Sequence, residues 1–392
     1  MKILDKKNIS IIGGAGHVGF PLGLAFADKK FKVDLVDIDL KNVKKINLGT
    51  PPFMEVGAEK LLKKHLKSKK ISTKLTLKEL IYSKYVVICI GTPIGRNLKP
   101  KLKDFINFFK NLKKHLDKNH IIVVRSSIYP GTINKIEKIL KSKNVIYCPE
   151  RIVQGKALQE LKKLPQIIAS NNKKNLIHGK YLFSKIASKI IETSVIEAEL
   201  IKLFSNANRY INFSIANQFY LMCENKGLNF SRIRNIMQDG YERNLNLSTA
   251  GFTAGPCLLK DTMQLSSFFL KNFNLGHAAM QVNESLPEFI INNLKKIKNV
   301  KKKTVGILGL AFKPDNDDIR DSLSIKLLNL LKKRNYKVLQ SDEYYYNEKN
   351  IDKKDLIKRS DIVIIGVPHK QYNQIKFPTN KKVIDVWGLL NK

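Results

Sequence analysis

A thiol, an amine and a carboxylate fall within five residues of this chain, at Cys257, Lys260 and Asp261 in the segment Gly255-Pro256-Cys257-Leu258-Leu259-Lys260-Asp261. Spacings of three and four residues bring such side chains onto one face if the segment is helical. A thiolate can attack a carbonyl carbon, a cation can hold the resulting oxyanion, and a carboxylate can activate water. With a nicotinamide cofactor nearby to remove hydride, this set oxidises an aldehyde through a thioester to an acid. A cysteine by itself is more often a small buried hydrophobe than a nucleophile. Neighbours of these types, or a helix N-terminus that lowers the thiol pKa, favour the chemical reading.

The elements that would position such a site begin near the N-terminus. Residues 9–12 read as an apolar strand, and Gly14-Ala15-Gly16-His17-Val18-Gly19 matches G-x-G-x-x-G. A helix is expected over 21–27 and a second strand over 32–36, ending at Asp37. Glycines in this context let backbone amides approach a pyrophosphate at a helix N-terminus, and the acid about 20 residues on accepts the ribose hydroxyls of NAD while repelling the extra phosphate of NADP. Gly14, Gly16, His17, Val18, Gly19 and Asp37 are therefore the expected NAD contacts. Two further strands end in Gly91-Thr92-Pro93 and in Ser126-Ser127-Ile128-Tyr129-Pro130-Gly131-Thr132. Thr92, Pro93 and Ser127 would lie at the carboxyl ends of the strands, where ligands of such sheets bind, although Thr-Pro and Pro-Gly are also ordinary turn formers. A strand over 145–147 leads into Cys148-Pro149-Glu150-Arg151.

From about residue 193 the period changes from 2 to 3.6. Ile196, Leu200, Leu203, Ala207 and Ile211 mark a stripe on a helix expected to reach about residue 224. Lys202 and Asn206, four apart, converge on that helix; a solvated lysine is the plain alternative. Residues 226–300 read as largely helical, and 295–303 as a lysine-rich surface crossing. A second α/β unit follows, with strands near 304–308, 337–340, 362–366 and 382–386 and a helix from about 322, but without G-x-G-x-x-G. The expected architecture is α/β: an N-terminal Rossmann domain (1–192), a central helical domain with a long connecting helix (193–300) and a C-terminal Rossmann-like domain (301–392).

At 392 residues and 43% hydrophobic content the chain is long enough for two or three packed domains. The formal charge of +38 would point to nucleic acid or anionic membrane, but only ten of the 71 basic residues are Arg, and the lysines spread over the whole length. No basic stripe with interleaved aromatics stands out, so a specific nucleic-acid partner is not expected; attraction of anionic substrates is. Four widely spaced cysteines form no metal-type pairs, no apolar run reaches membrane length, and the start runs directly into a strand. These features lead to the expectation of a cytoplasmic protein with no metal.

Taken together, and in this order, the motifs resemble the UDP-glucose/GDP-mannose dehydrogenase family of NAD-dependent nucleotide-sugar 6-dehydrogenases. Gly91-Thr92-Pro93 resembles the family's G-T-P loop, and Ser126–Thr132 its S-T-V-x-P-G-T loop with Ser127 in place of Thr. Pro149-Glu150-Arg151 resembles its P-E-[FR] segment, residues 199–206 its K-x-x-x-N helix, and residues 252–261 its segment around the nucleophile. Residues 308–314 and 317–322 resemble the start of its nucleotide-sugar domain. The resemblance implies a catalytic set of Cys257, Lys202, Asn206, Asp261, Glu150, Ser127 and Lys260. It implies substrate contacts from Glu150, Arg151, Lys202, Asn206, Gly255, Phe312, Lys313 and Arg320. The segment Phe252-Thr253-Ala254-Gly255-Pro256 lacks the paired glycines common in the family, and Gln154 stands where UDP-glucose enzymes carry a second Glu. Arg151 in place of Phe resembles the branch that acts on UDP-N-acetylglucosamine or UDP-N-acetylmannosamine.

The implied reaction is a four-electron oxidation of a sugar C6 hydroxymethyl through a Cys257 thiohemiacetal and thioester. Lys202 and Asn206 would donate to the oxyanion, Asp261 (with Glu150) would activate water, and Lys260 would anchor the site or hold the thiolate. UDP-glucose oxidation, a one-step hydroxyacid-type dehydrogenase and a basic nucleic-acid-binding protein are the alternatives. The long apolar-striped helix leads to the expectation of a homodimer.

Overall fold

The structure, a computed structural model, describes residues 5–92, 94, 95, 98, 100–253, 255–270 and 272–391. By compactness the chain divides into two units, Met1–Phe204 and Ser205–Lys392.

The first unit is built on six parallel strands: β1 (Asp5–Ile12), β2 (Lys32–Val36), β3 (Ile71–Lys74), β4 (Ser83–Ile88), β5 (Ile121–Val124) and β6 (Val145–Tyr147). Their order across the sheet is β3-β2-β1-β4-β5-β6, the doubly wound arrangement in which the topology reverses beside β1. Helices α1 (Gly19–Asp28), α2 (Leu40–Asn47), α3 (Ala58–Lys67), α4 (Leu102–Leu112), α5 (Thr132–Leu140), α6 (Ala157–Lys163) and α7 (Lys173–Phe183) connect these strands and follow them. Alternate strand residues feed two cores. Ile9, Ile11, Val33, Leu35 and Val87 join one, while Ile12, Val36, Val86 and Ile88 join the other. That two-sided burial explains why these strands read as continuous apolar runs rather than alternating ones. A short parallel pair, β7 (Gln166–Ile168) and β8 (Ile190–Glu192), completes the unit.

A single long helix, α8 (Val195–Asn225), follows. Its start is set by a capping box: the Ser194 hydroxyl accepts from the Glu197 amide at 3.3 Å, and Glu197 accepts in return from the Ser194 amide at 2.9 Å. Hydrogen bonds from Thr193 and Ser194 hold the Glu197 carboxyl down at about 2. The buried stripe of α8 differs from the one the sequence suggests. Leu203 and Ala207 are buried, but Ile196 is exposed, and buried polar residues occupy the inward face instead.

The second unit carries α9 (Phe230–Gln238), α10 (Leu258–Phe268), α11 (Asn274–Lys295), α12 (Leu323–Lys333) and α13 (Lys353–Arg359). It also holds a four-stranded parallel sheet, β10-β9-β11-β12, from β9 (Thr304–Leu308), β10 (Lys337–Ser341), β11 (Ile362–Ile365) and β12 (Lys382–Ile384). One core joins Ala216 and Tyr220 of α8, Leu286 and Ile290 of α11, and Val305, Ile307 and Leu327. The α/β class and the long helix with a helical segment before a second parallel sheet are as the sequence predicts.

Candidate active site

In the first unit the glycine turn is shaped by contacts that exclude side chains. A Cβ on Gly14 would stand 2.7 Å from the Leu35 Cα, and one on Gly19 would collide with the Gly13 carbonyl; Gly16 is less crowded. Gly13, which the motif reading passed over, is the residue in the left-handed region (φ +78°), with its Cβ position 2.7 Å from the Cys89 carbonyl oxygen. Of these glycines Gly13 is the one whose positive φ calls for the residue without a Cβ at the turn off β1. Val18 is the N-cap of α1, and the His17 ring lies 3.9 Å from that of Phe53. Asp37 accepts from the Ala15 amide at 2.9 Å and from the Asp39 amide at 3.1 Å while remaining partly exposed. Glycines that admit no Cβ, a helix N-terminus and a solvent-facing carboxylate fit a dinucleotide.

The neighbouring loops are tied to one another. The Thr92 hydroxyl donates to the Ser127 carbonyl, and the Ser126 hydroxyl donates to the Ile90 carbonyl at 2.7 Å. Pro93 lies outside the described residues. Beyond β6, Glu150 is buried and fully engaged. One oxygen receives Arg125, and the other accepts from the amides of Arg151 at 2.7 Å and Ile152 at 3.1 Å. Arg125, fully buried, also donates to Cys148 Sγ at 2.9 Å and to Gln166 Oε1 at 3.1 Å, with its guanidinium 4.9 Å from the Phe183 ring centre. In this neutralised knot Glu150 holds the amides of Arg151 and Ile152 with one oxygen and the Arg125 guanidinium with the other. Arg151 is itself tied back to the Pro165 carbonyl. Arg125 carried no motif of its own, so sequence reasoning missed it. Burial pushes the thiols of Cys89 and Cys148 up to about 12, despite the pull of Arg125.

In the second unit Cys257 is exposed and caps the N-terminus of α10, whose first turn closes with the Asp261 amide donating to the Cys257 carbonyl at 2.9 Å. Asp261 is completely buried. Its Oδ1 pairs with Lys260 Nζ at 2.8 Å, and its Oδ2 accepts from Asn206 Nδ2 at 2.6 Å. Lys260 thus pairs with the carboxylate, and Asn206 retains one amide hydrogen. Gly255 adopts φ +104°, and a Cβ there would stand 2.5 Å from the Phe312 ring. That close approach explains why glycine precedes the Pro-Cys pair. Lys313 Nζ lies 5.8 Å from the same ring centre, and Arg320 chelates Asp318 at 2.6–3.0 Å. The Asp318 carboxylate raises the Arg320 pKa against the cost of burial, and the Cys257 sulfur adds to that effect. Two residues the sequence did not single out fix the loop before Cys257. Asn217 accepts from the Gly251 amide at 2.8 Å and donates to Asn283 at 2.8 Å, and Asn283 donates to the Tyr210 carbonyl at 3.1 Å.

A parallel doubly wound sheet with a glycine turn and a partly exposed acid beside it, followed by a long helix and a second parallel sheet, defines the class of nicotinamide-dependent oxidoreductases. The chain belongs to the UDP-glucose/GDP-mannose dehydrogenase family. Residues 7–187 match its NAD binding domain, 196–285 its central domain and 306–392 its UDP binding domain. It is an NAD-dependent nucleotide-sugar dehydrogenase. The UDP-N-acetyl-D-mannosamine dehydrogenase of Methanococcus vannielii is 29% identical, over 98% of this chain and 93% of that protein. The UDP-glucose 6-dehydrogenase of Bacillus subtilis is 26% identical, over 83% and 77%. The solved UDP-D-ManNAc dehydrogenase from Pyrococcus horikoshii superposes with a TM-score of 0.89 at 25% identity, over 97% of this chain and 96% of that one.

Proposed function

We propose that this chain oxidises the C6 hydroxymethyl of a UDP-N-acetylhexosamine, N-acetylmannosamine or N-acetylglucosamine, to the uronic acid through a Cys257 thioester. The observation that carries the reading is exposed Cys257 at the N-cap position of α10, with Asp261 buried one turn on. Arg151 and the mannosamine-type relatives support the acetylated sugar.

NAD, which Gly14, Gly16, His17, Val18, Gly19, Asp37, Thr92 and Ser127 would hold, would supply the acceptor for one hydride in each oxidation. The first oxidation leaves an aldehyde, its hydroxyl proton passing to a base or bound water. Cys257 Sγ bonds to the aldehyde carbon and the oxygen takes up a proton, giving an sp³ thiohemiacetal. Loss of hydride and of that proton leaves the thioester. Lys202 Nζ and the remaining Asn206 N–H donate to the oxygen wherever it bears charge. Asp261, oriented by Lys260 and Asn206, takes a proton from water, whose oxygen adds to the thioester carbon; the carbon–sulfur bond breaks and releases thiol and acid. Phe312, Lys313, Arg320, Gly255 and Arg151 shape and charge the sugar-nucleotide site, and Glu150 holds its loop.

We further assign domain boundaries of 1–192, 193–300 and 301–392, a cytoplasmic location and a homodimer through α8. No helix among the described residues is long and apolar enough to cross a membrane. Ile215, Phe219 and Met222, at i, i+4 and i+7, form an exposed apolar stripe on α8 that supports the dimer. A panel of UDP-sugars followed by NADH absorbance tests the reading. Two NADH per acetylated sugar is the expected result. Preference for UDP-glucose would move the substrate, and one NADH per sugar would overturn the thioester route.

A further inference from the structure

Buried carboxylates are costly unless hydrogen-bonded, and α8 buries one that the mechanism above does not use. Glu199 is 0% exposed. Its Oε2 accepts from the Gly131 amide at 2.6 Å and its Oε1 from the Ile133 amide at 3.0 Å. These amides open α5, where the first turn leaves its N–H groups without helical partners and the dipole favours negative charge. Gly131, at φ +82°, closes the Ser126–Thr132 loop, so Glu199 fastens that loop at its downstream end. The upstream end is fastened by the Thr92 and Ser126 hydroxyl bonds. On α8, Glu199, Lys202 and Asn206 stand at i, i+3 and i+7, one buried polar face, with Lys202 and Asn206 only 8% and 6% exposed.

We propose that Glu199 is a positioning residue, a clamp whose carboxylate sets Lys202 in register with the Ser127 loop. This rests on the reading in which Lys202 and Ser127 serve turnover. One carboxylate joins two pieces of chain 66 to 68 residues apart. Burial pushes the Glu199 carboxyl above its ordinary value, against the opposing pull of the Ile133 and Gly131 amides. A neutral isostere therefore relieves burial of the charge and keeps the fold, while losing one of the two acceptors.

Glu199→Gln should lower kcat roughly tenfold to a hundredfold, as expected when a catalytic group is displaced by a fraction of an ångström to an ångström. KM for NAD and for the sugar, and NAD binding read by fluorescence, should stay within about twofold. Hydrogen exchange at the amides of Gly131 and Ile133 should speed up at least tenfold in the variant, a readout that needs no turnover. Unchanged kcat together with unchanged exchange overturns the clamp, as does a loss of melting temperature with kcat intact. If wild-type protein reduces no NAD with any UDP-sugar, the oxidation reading fails and the exchange result alone decides on the clamp. Glu199→Asp, too short to reach both amides, replaces the glutamine variant if that one does not fold, with the same outcomes expected.

Discussion

The two parallel sheets turn the corner after their first strand in the same way, yet the acids beside the two turns are partnered differently. Gly13 follows β1 and Gly309 follows β9, both at positive φ (+78° and +88°), and each donates its amide to the last strand residue next door at 2.9 Å. An aspartate then follows each second strand. Asp37 accepts two amides and keeps a face toward solvent. Asp342 is closed off. It accepts from Leu310 at 2.5 Å, Ala311 at 3.1 Å, Tyr344 and Tyr345 at 2.8 Å, and from the fully buried His369 at 3.2 Å. The Asp315 amide donates to His369 Nδ1 at 2.9 Å, so Nε2 carries the proton toward Asp342. Helix α1 starts six residues after Gly13, whereas α12 starts fourteen after Gly309. The same turn thus leaves its acid wet in one sheet and has it saturated by histidine and amides in the other.

The comparison breaks most visibly at Cys257. Cys257→Ala should abolish acid formation while leaving NAD binding by the first unit normal; an alanine variant that still yields two NADH per sugar would sink the thioester. Cys257→Ser should accumulate a covalent sugar adduct, seen by intact-protein mass spectrometry, because its oxygen ester hydrolyses more slowly. Lys202→Ala or Asn206→Ala should cut turnover by roughly 10²–10³; near-normal rates at saturating substrate would return both to a plain structural face.

The two aspartates should then separate cleanly. Asp342→Asn should cost about 2–3 kcal/mol of stability with NAD binding untouched. Asp37→Ala should weaken NAD about tenfold and narrow the preference over NADP, with little change in melting temperature. Equal effects on both properties would dissolve the distinction.

Acid should sharpen it further. Burial pushes Asp342 up, but His369 and the backbone amides outweigh it and leave its pKa below the ordinary value. A carboxyl depressed in the fold contributes stability above its unfolded value of about 3.9, and that contribution fades as pH falls through the folded value. Melting temperatures of wild type and Asp342→Asn should therefore converge below about pH 4. In thiol labelling, Cys257 should react first, with Cys89 and Cys148, raised to about 12, silent in the native protein.

The sheets and long helices were legible because apolar period and capping residues agree along them: Ser194 with Glu197 at α8, and Ser322 accepting from Ile325 at α12. Motif spacing likewise singled out Cys257, Asp261 and Asp37, which stand at the exposed N-cap of α10, in a buried ion pair with Lys260 and just past β2. What stayed hidden depends on partners distant in sequence. Nothing local marks Arg125 as the mate of Glu150, Asn283 as the mate of Asn217, or His369 as the group that closes Asp342. The inward face of α8 was misjudged around Ile196 because a hydrophobic stripe is the default expectation, whereas this helix buries Glu199, Lys202 and Asn206.

That polar face makes α8 intolerant of changes in length. One inserted residue between Glu199 and Asn206 rotates everything downstream on the helix by about 100° and advances it about 1.5 Å. The carboxylate would keep its amides while the asparagine swung off its face. Divergence in this stretch must therefore proceed by substitution, with insertions and deletions confined to the loops between elements, where a longer connection costs the chain little.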